Sequence, residues 1–340
     1  MPPKMRLEPK DEYTHAPDAA ENYNESMYFN FYDPKEKLGG FFRIGNRPNE
    51  KYAEVTACLY LPDKTVGFMF GRPEISSNEK FEAAGMRFET VEPFRKLLVE
   101  YKGDVVTLKN PLEMVEPRQA FKGNPWASCD VSLEYRGVSP MYGGEPVDDG
   151  TPLIETKKDE GFAKAHYEQH VGAKGRVRVG EKSWKVEGFG LRDHSWGPRY
   201  WQAPWWYRWL TANFGEKNGF MLSIVTGRDG KKKIGGMFLE NDSYDMVKDV
   251  KIETGWAGED HYHETIRAFA KTESGKEHEI TGKVLSLIPL RNRRKDENGK
   301  ELLTRISEGM TEWKWNGKTG YGLSEYLDQI VDGKPVGLKG

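Results

Sequence analysis

The sequence predicts an all-β chain folded as two related barrel-like halves, and three observations carry that prediction. Short segments alternating apolar and polar residues recur at close spacing, parted by turns rich in Gly, Pro, Asn and Asp. Few stretches show the 3.6-residue periodicity of an amphipathic helix. A loose internal echo relates Tyr28-Phe29-Asn30-Phe31 and the following Gly40-Phe41-Phe42-Arg43-Ile44 to Arg208-Trp209-Leu210-Thr211 and Gly219-Phe220-Met221-Leu222-Ser223-Ile224. With 340 residues the chain exceeds one typical core and suits two domains.

Taken in order, residues 1–20 are rich in Pro, Lys and Asp and read as an arm. Asn22 to Asp33 alternates as a half-buried strand should, with Glu25 as its charged member. The default for Glu25 is a solvent-facing or edge position; the alternative is a place in a ligand site. Further strands are expected over Gly39–Gly45, Tyr52–Leu61, Thr65–Phe70, Met86–Val91, Lys96–Lys102, Asp104–Lys109 and Cys129–Arg136. Ser139 to Thr156 combines Gly, Pro and Asp with little periodicity and is the expected domain boundary. This gives an arm (1–20), a first β domain (21–155) and a second (160–340). Within the second, Gly175–Gly180 and Ser183–Gly188 form a hairpin. The rhythm continues through Tyr207–Asn213, Gly219–Arg228, Lys233–Glu240, Tyr262–Ala270, His278–Leu287, Leu302–Trp315 and Tyr321–Tyr326.

Composition excludes several function classes. A formal charge of −2 gives no electrostatic case for nucleic acid, and the basic tract Arg291–Lys295 runs directly into Asp296-Glu297, as a solvated hairpin tip does. No window is apolar for a membrane-spanning length, and Met1–Arg6 leads into no signal-peptide core. Cys58 and Cys129 lack a CxxC pattern and read as reduced core residues of a cytoplasmic protein. No GxGxxG, P-loop or GxSxG motif occurs.

The chemistry is concentrated in Gly188–Trp201, where Arg192-Asp193-His194-Ser195-Trp196-Gly197-Pro198-Arg199 packs an acid, an imidazole, an indole and two arginines together. If the segment is extended, Asp193 and His194 point to opposite faces; read as a Gly-flanked turn, it brings both to one mouth. A carboxyl group desolvated against indoles has a raised pKa and can act as an acid. The candidate catalytic residues are Asp193, His194 and Arg199, the last orienting Asp193 or a polar end of the substrate. Trp196, Tyr200, Trp201 and Trp205 are the candidate pocket wall, joined by Glu25 and, from the C-terminal strands, Glu308 and Tyr321. Against this stands the plainer reading in which Asp193 pairs with an arginine and the indoles fill a core. His166 and His170, or His261 and His263 with Glu264, have spacings that some metal sites use, but no third ligand is evident, so no metal is expected.

The Arg192–Arg199 motif resembles that of the carotenoid 1,2-hydratase (hydroxyneurosporene synthase) superfamily and its bacterial relatives, with weaker support from NESMYFNFYD and GYGLSEY. The resemblance implies two lipocalin-like (calycin-type) antiparallel β-barrels packed together. It also implies cofactor-free acid–base chemistry, associated in that family with the positions of Asp193, His194 and Trp196. The resulting expectation is a cofactor-independent, cytoplasmic lyase or hydratase acting on a hydrophobic isoprenoid or phenolic compound. No nucleic-acid partner and no membrane insertion are expected, and homodimerisation is left open. An isomerase or cyclase on similar substrates, a non-catalytic carrier of lipophilic ligands and an interaction module are the alternatives.

Overall fold

The computed structural model describes residues 4–154 and 161–338, which divide into two compact units: 1–109 with 124–200, and 110–123 with 201–340. Each is built on a closed antiparallel ring of eight strands, the lipocalin-like barrel expected. In the first unit the ring comprises β1 (Tyr23–Asp33), β2 (Leu38–Arg47), β3 (Tyr52–Tyr60), β4 (Val66–Gly71), β5 (Lys96–Leu108), β6 (Trp126–Gly137), β7 (Ala165–Val179) and β8 (Lys182–Pro198). Each strand pairs with the next in this order, and β8 closes on β1. The second ring runs β9 (Trp206–Asn213), β10 (Asn218–Thr226), β11 (Lys232–Glu240), β12 (Ser243–Ala257), β13 (Tyr262–Thr272), β14 (Glu277–Lys295), β15 (Glu301–Trp315) and β16 (Lys318–Val331), with β16 closing on β9.

Closing a sheet on itself leaves no backbone edge in the ring, and alternation then sends every second side chain inward. Met27 and Phe29 of β1 lie in register with Ile44 and Phe42 of β2 and share the first core with Phe31, Val55, Val99, Leu133, Val171 and Val186. The second core is built likewise from Leu210, Leu222, Phe238, Ile252, Ile266, Trp313 and Tyr326.

The division of the chain falls at Tyr200–Trp201 rather than within 139–160. Turn chemistry in Ser139–Thr156 is real, but Tyr142–Asp148 pairs with Lys4–Arg6 and with β7, so the chain stays in the first unit. Glu155 and Thr156 of that stretch lie outside the described residues. The first barrel cannot close without β7 and β8, and the Arg192–Arg199 motif therefore belongs to the first unit, not the second. Asp104–Lys109 and Lys96–Lys102 merge into the single strand β5. Among the described residues no helix is long and apolar enough to cross a membrane.

Candidate active site

The motif is not a turn. Arg192 to Pro198 completes β8, paired without interruption to β7 from Val179↔Lys182 to Ala165↔Trp196. In a strand, neighbours point to opposite faces. Arg192, His194 and Trp196 share the inward parity of Val186, whereas Asp193 lies opposite Tyr28 and Glu168 on the other face. The structure thus parts the two residues that the sequence reading placed at one mouth.

Inward-facing residues form layers across β1, β8 and β7. Phe29, Arg192 and Gln169 make one layer; Met27, His194 and Tyr167 make the next; Glu25, Trp196 and Ala165 form the last. The barrel interior is accordingly apolar along most of its length and turns polar at the end where β8 stops and β1 starts. Residues 8–15 reach this end. Pro9 opens a 3-10 turn over Pro9–Glu12, a position where its fixed φ fits. The Asp11 carboxylate accepts the Glu8 N–H at 2.7 Å, holding the turn together. The turn places Asp11, Glu12 and, beyond it, His15 against the polar layers. The expected arm is part of the site.

Glu25 is at the centre. Its Oε1 accepts from His194 Nε2 and from His15 Nδ1, each at 2.8 Å. Its Oε2 accepts from the His15 backbone N–H at 2.9 Å, the Tyr23 hydroxyl at 2.8 Å and Asn78 Nδ2 at 3.1 Å. Burial alone would push this carboxyl group up. The hydrogen bonds and positive charge of His15 and His194 prevail and hold it at about 2, so Glu25 is an anion that accepts only. His15 is pulled down by its own burial, yet the bonds and charges of Glu25 and Asp11 leave it above the ordinary imidazole value. Its ring stacks on Trp196 at 3.9 Å, and its Nε2 lies 3.3 Å from Asp11 Oδ1. Within this group only His15 has appreciable access to solvent, with 22% of its side chain exposed.

On the far side of His194 the chain of contacts continues. His194 Nδ1 lies 3.0 Å from the Tyr167 hydroxyl, which is 2.8 Å from Glu12 Oε1. Glu12 is clamped by Arg192 at 2.6 and 2.8 Å and accepts the Phe94 N–H at 2.7 Å. Arg192 also donates to Gln169 Oε1 at 2.9 and 3.1 Å. Burial pulls the guanidinium down, but Glu12 outweighs that and keeps it raised; burial and Glu12 together push the Tyr167 phenol well up. The single hydrogen of Tyr167 has three acceptors within reach, Glu12 Oε1, the Asp11 carbonyl oxygen at 3.2 Å and, in the tautomer that leaves it unprotonated, His194 Nδ1.

The other sequence candidates lie apart from this cluster. Arg199 donates to Ser195 Oγ at 2.7 Å and stacks on Phe162 at 4.2 Å, on the outward side of β8. Tyr200 is half-buried and follows it in the first unit. Trp201, Trp205, Glu308 and Tyr321 belong to the second unit: Trp205 lies against its core beside Arg228, Glu308 is buried opposite Glu325, and Tyr321 donates to Glu312 at 3.2 Å. The candidate pocket wall is therefore not one wall, since Trp196 serves the first barrel and Trp205 packs against the core of the second. His15, Asp11, Glu12, Tyr23, Asn78, Tyr167 and Gln169 were not singled out from the sequence. One signal for Tyr167 and Gln169 was present: their parity on β7 matches that of Arg192 and His194 across the hairpin.

Fold and site together define a two-barrel β protein with a buried carboxylate–imidazole cluster at one end of its first barrel. Residues 8–330 match the family described as a domain of unknown function, DUF7064, and the chain belongs to that family. Among curated proteins no sequence matches. Solved structures similar over nearly the whole chain include a candidate AttH protein of Nitrosomonas europaea (13% identity, TM-score 0.55, 96% of this chain and 98% of that one). CghA with Sch210972 aligns at 8% identity, TM-score 0.53 and 95% of each chain. Kievitone hydratase of Nectria haematococca aligns at 8% identity and TM-score 0.52, over 96% of this chain and 97% of that one. At these identities the likeness establishes a shared fold.

Proposed function

We propose that the chain is a lyase of the hydratase type, using acid–base chemistry on a hydrophobic isoprenoid or phenolic molecule at the polar end of the first barrel. The observation that carries this reading is the Glu25 carboxylate held between two imidazole nitrogens at 2.8 Å, with an apolar barrel behind it. Such a pair shuttles a proton at a fixed place while the carboxylate stabilises the imidazolium. His15, stacked on Trp196 and partly open, is the group that gives a proton to the substrate or takes one from it. His194 is the buried partner, replenished through Tyr167. Asp193, on the opposite face of β8, is not assigned a role in the reaction. Kievitone hydratase provides a precedent for hydration on this scaffold, and the Arg192–Arg199 motif links the chain to the carotenoid hydratase type by resemblance.

The test is mass spectrometry of the protein incubated with lipophilic alkenes and phenolic aryl compounds, wild type beside His194→Ala, Glu25→Gln and Asp193→Asn. Gain or loss of water is expected in wild type and Asp193→Asn, and turnover reduced about 100-fold or more in the other two. Product formation undiminished in His194→Ala and Glu25→Gln sinks the assignment. Ligand binding without turnover in all four proteins makes the chain a carrier.

A further inference from the structure

We infer that His15 Nδ1, Glu25 Oε1 and His194 Nε2 also form a binding site for one divalent first-row transition metal ion. The inference uses the same cluster as the proposed acid–base site, but it stands on donor geometry and charge rather than on turnover.

These three are the residues among those described whose ligand atoms converge for an ion, all lying within 4.8 Å of one another. Two imidazoles and a carboxylate are a donor set suited to zinc, iron, manganese or cobalt, and three protein ligands leave a coordination position open. With bonds of about 2.0–2.1 Å, tetrahedral ligand atoms stand about 3.3 Å apart. The pairs at 2.8 Å would need to part by roughly half an ångström to admit the ion, within reach of side-chain torsions.

The surroundings supply a second line of support. Metal-binding imidazoles commonly have the other ring nitrogen fixed by a hydrogen bond, which sets the tautomer and aims the lone pair. Both do so here: His15 Nε2 faces Asp11 Oδ1 at 3.3 Å, and His194 Nδ1 faces the Tyr167 hydroxyl, itself held by Glu12. Glu25 Oε2 is occupied by three donors, which leaves Oε1 aimed at the two imidazole nitrogens. A site used only for hydrogen bonding has no need to have every ligand aimed in this way.

Charge points the same way. The cluster holds three carboxylates, Asp11, Glu12 and Glu25, against one guanidinium, Arg192, a surplus of two negative charges when both imidazoles are neutral. A buried surplus of that size is costly unless balanced. Two protons on the imidazoles balance it, and so does one divalent cation. Proton relay and metal binding are thus alternative occupancies of the same atoms. On entry the ion takes the lone pairs of His15 Nδ1 and His194 Nε2, and the protons these nitrogens donated to Glu25 leave to solvent.

The experiment is calorimetric titration of Zn²⁺ into the chelator-treated full chain, with Co²⁺ as a spectroscopic probe. One ion per chain and a Co²⁺ visible band of tetrahedral or five-coordinate intensity are expected. His15→Ala and His194→Ala should each weaken Zn²⁺ binding at least 100-fold and abolish the band. His15 sits outside the barrel strands, so His15→Ala tests the site with the barrel intact. Zn²⁺ should raise the melting temperature of wild type and leave that of His15→Ala unchanged. No stoichiometric binding by wild type, or equal binding by both alanine variants, overturns the inference. Loss of turnover in His194→Ala without Zn²⁺ binding by wild type removes the metal site and leaves the acid–base reading standing. One Zn²⁺ at His15 and His194 without turnover on any compound does the reverse.

Discussion

A carboxyl group taken out of water ordinarily keeps its proton, because desolvation penalises the anion. Glu25 is fully buried and still charged, since five donors meet its two oxygens. The reverse hazard governs Glu12 and Arg192, both with side chains fully buried. Removing one charge of such a pair strands the other in a medium that cannot solvate it. Glu12→Gln is therefore expected to destabilise the first barrel by about 3–5 kcal/mol, read as a lower denaturation midpoint in urea. A loss below 1 kcal/mol would mean that Arg192 finds another partner or reaches water. At this scale the sequence was half legible. Glu25 could be singled out as the charged member of an alternating strand, and His194 and Trp196 because they stand in a short motif dense in acid, imidazole, indole and arginine. His15, Asp11 and Glu12 could not, because they lie in a Pro-rich segment without periodicity, where polarity looks like exposure.

Strand parity decides which half of the motif faces the barrel. A period of two makes Arg192, His194 and Trp196 neighbours and sends Asp193 away, as the extended alternative requires and the turn reading does not. The β1–β8 seam carries this arrangement, and it is tight at Gly190: a Cβ there would stand 1.9 Å from the Asn30 carbonyl oxygen. The next residue, Leu191, donates its N–H to the Asn30 side chain at 2.8 Å, so backbone and side chain of Asn30 both press on this spot. Backbone cannot swing aside as a flexible side chain can. Gly190→Ala should therefore prise β1 from β8 and cost about 3 kcal/mol. It should also broaden or shift the His194 imidazole resonances, since the bond from His194 to Glu25 spans that seam. An unchanged spectrum together with unchanged stability would show that the seam yields more easily than its geometry indicates.

At the scale of the whole molecule, fold class and strand rhythm were written in the alternating segments, while the division between units was not. Turn residues mark where a chain bends, whereas a unit ends where its last strand has found its partner, here β8 on β1. The second barrel has its own buried polar group. His263 donates to or accepts from Ser324 Oγ at 2.9 Å and stacks on Tyr326 at 4.0 Å. Burial, helped by the nearby Arg208 charge, depresses its imidazole to about 3. The unfolded chain takes up this proton near the ordinary imidazole value of 6.5, and the folded chain only near 3. The stability contributed by neutral His263 is thus complete above pH 6.5 and is lost as pH falls from there toward 3. The His263 ring resonance is expected to keep its neutral position at pH 4.5, and thermal stability to fall less steeply with acidification in His263→Gln. Titration of that resonance near pH 6.5 would contradict the burial described.

Because β8 closes on β1, the bond between Glu25 and His194 joins positions 169 residues apart. This sets a timetable. A ribosome that has released β1 through β7 has made a groove with Glu25 on its rim and nothing opposite. The cluster comes into being only when the last staves of the cask, the residues up to Pro198, have emerged and been hooped in. On the acid–base reading proposed above, a nascent chain has no assembled cluster before its first barrel is complete, and appearance of the Glu25–His194 contact is a clock for that event.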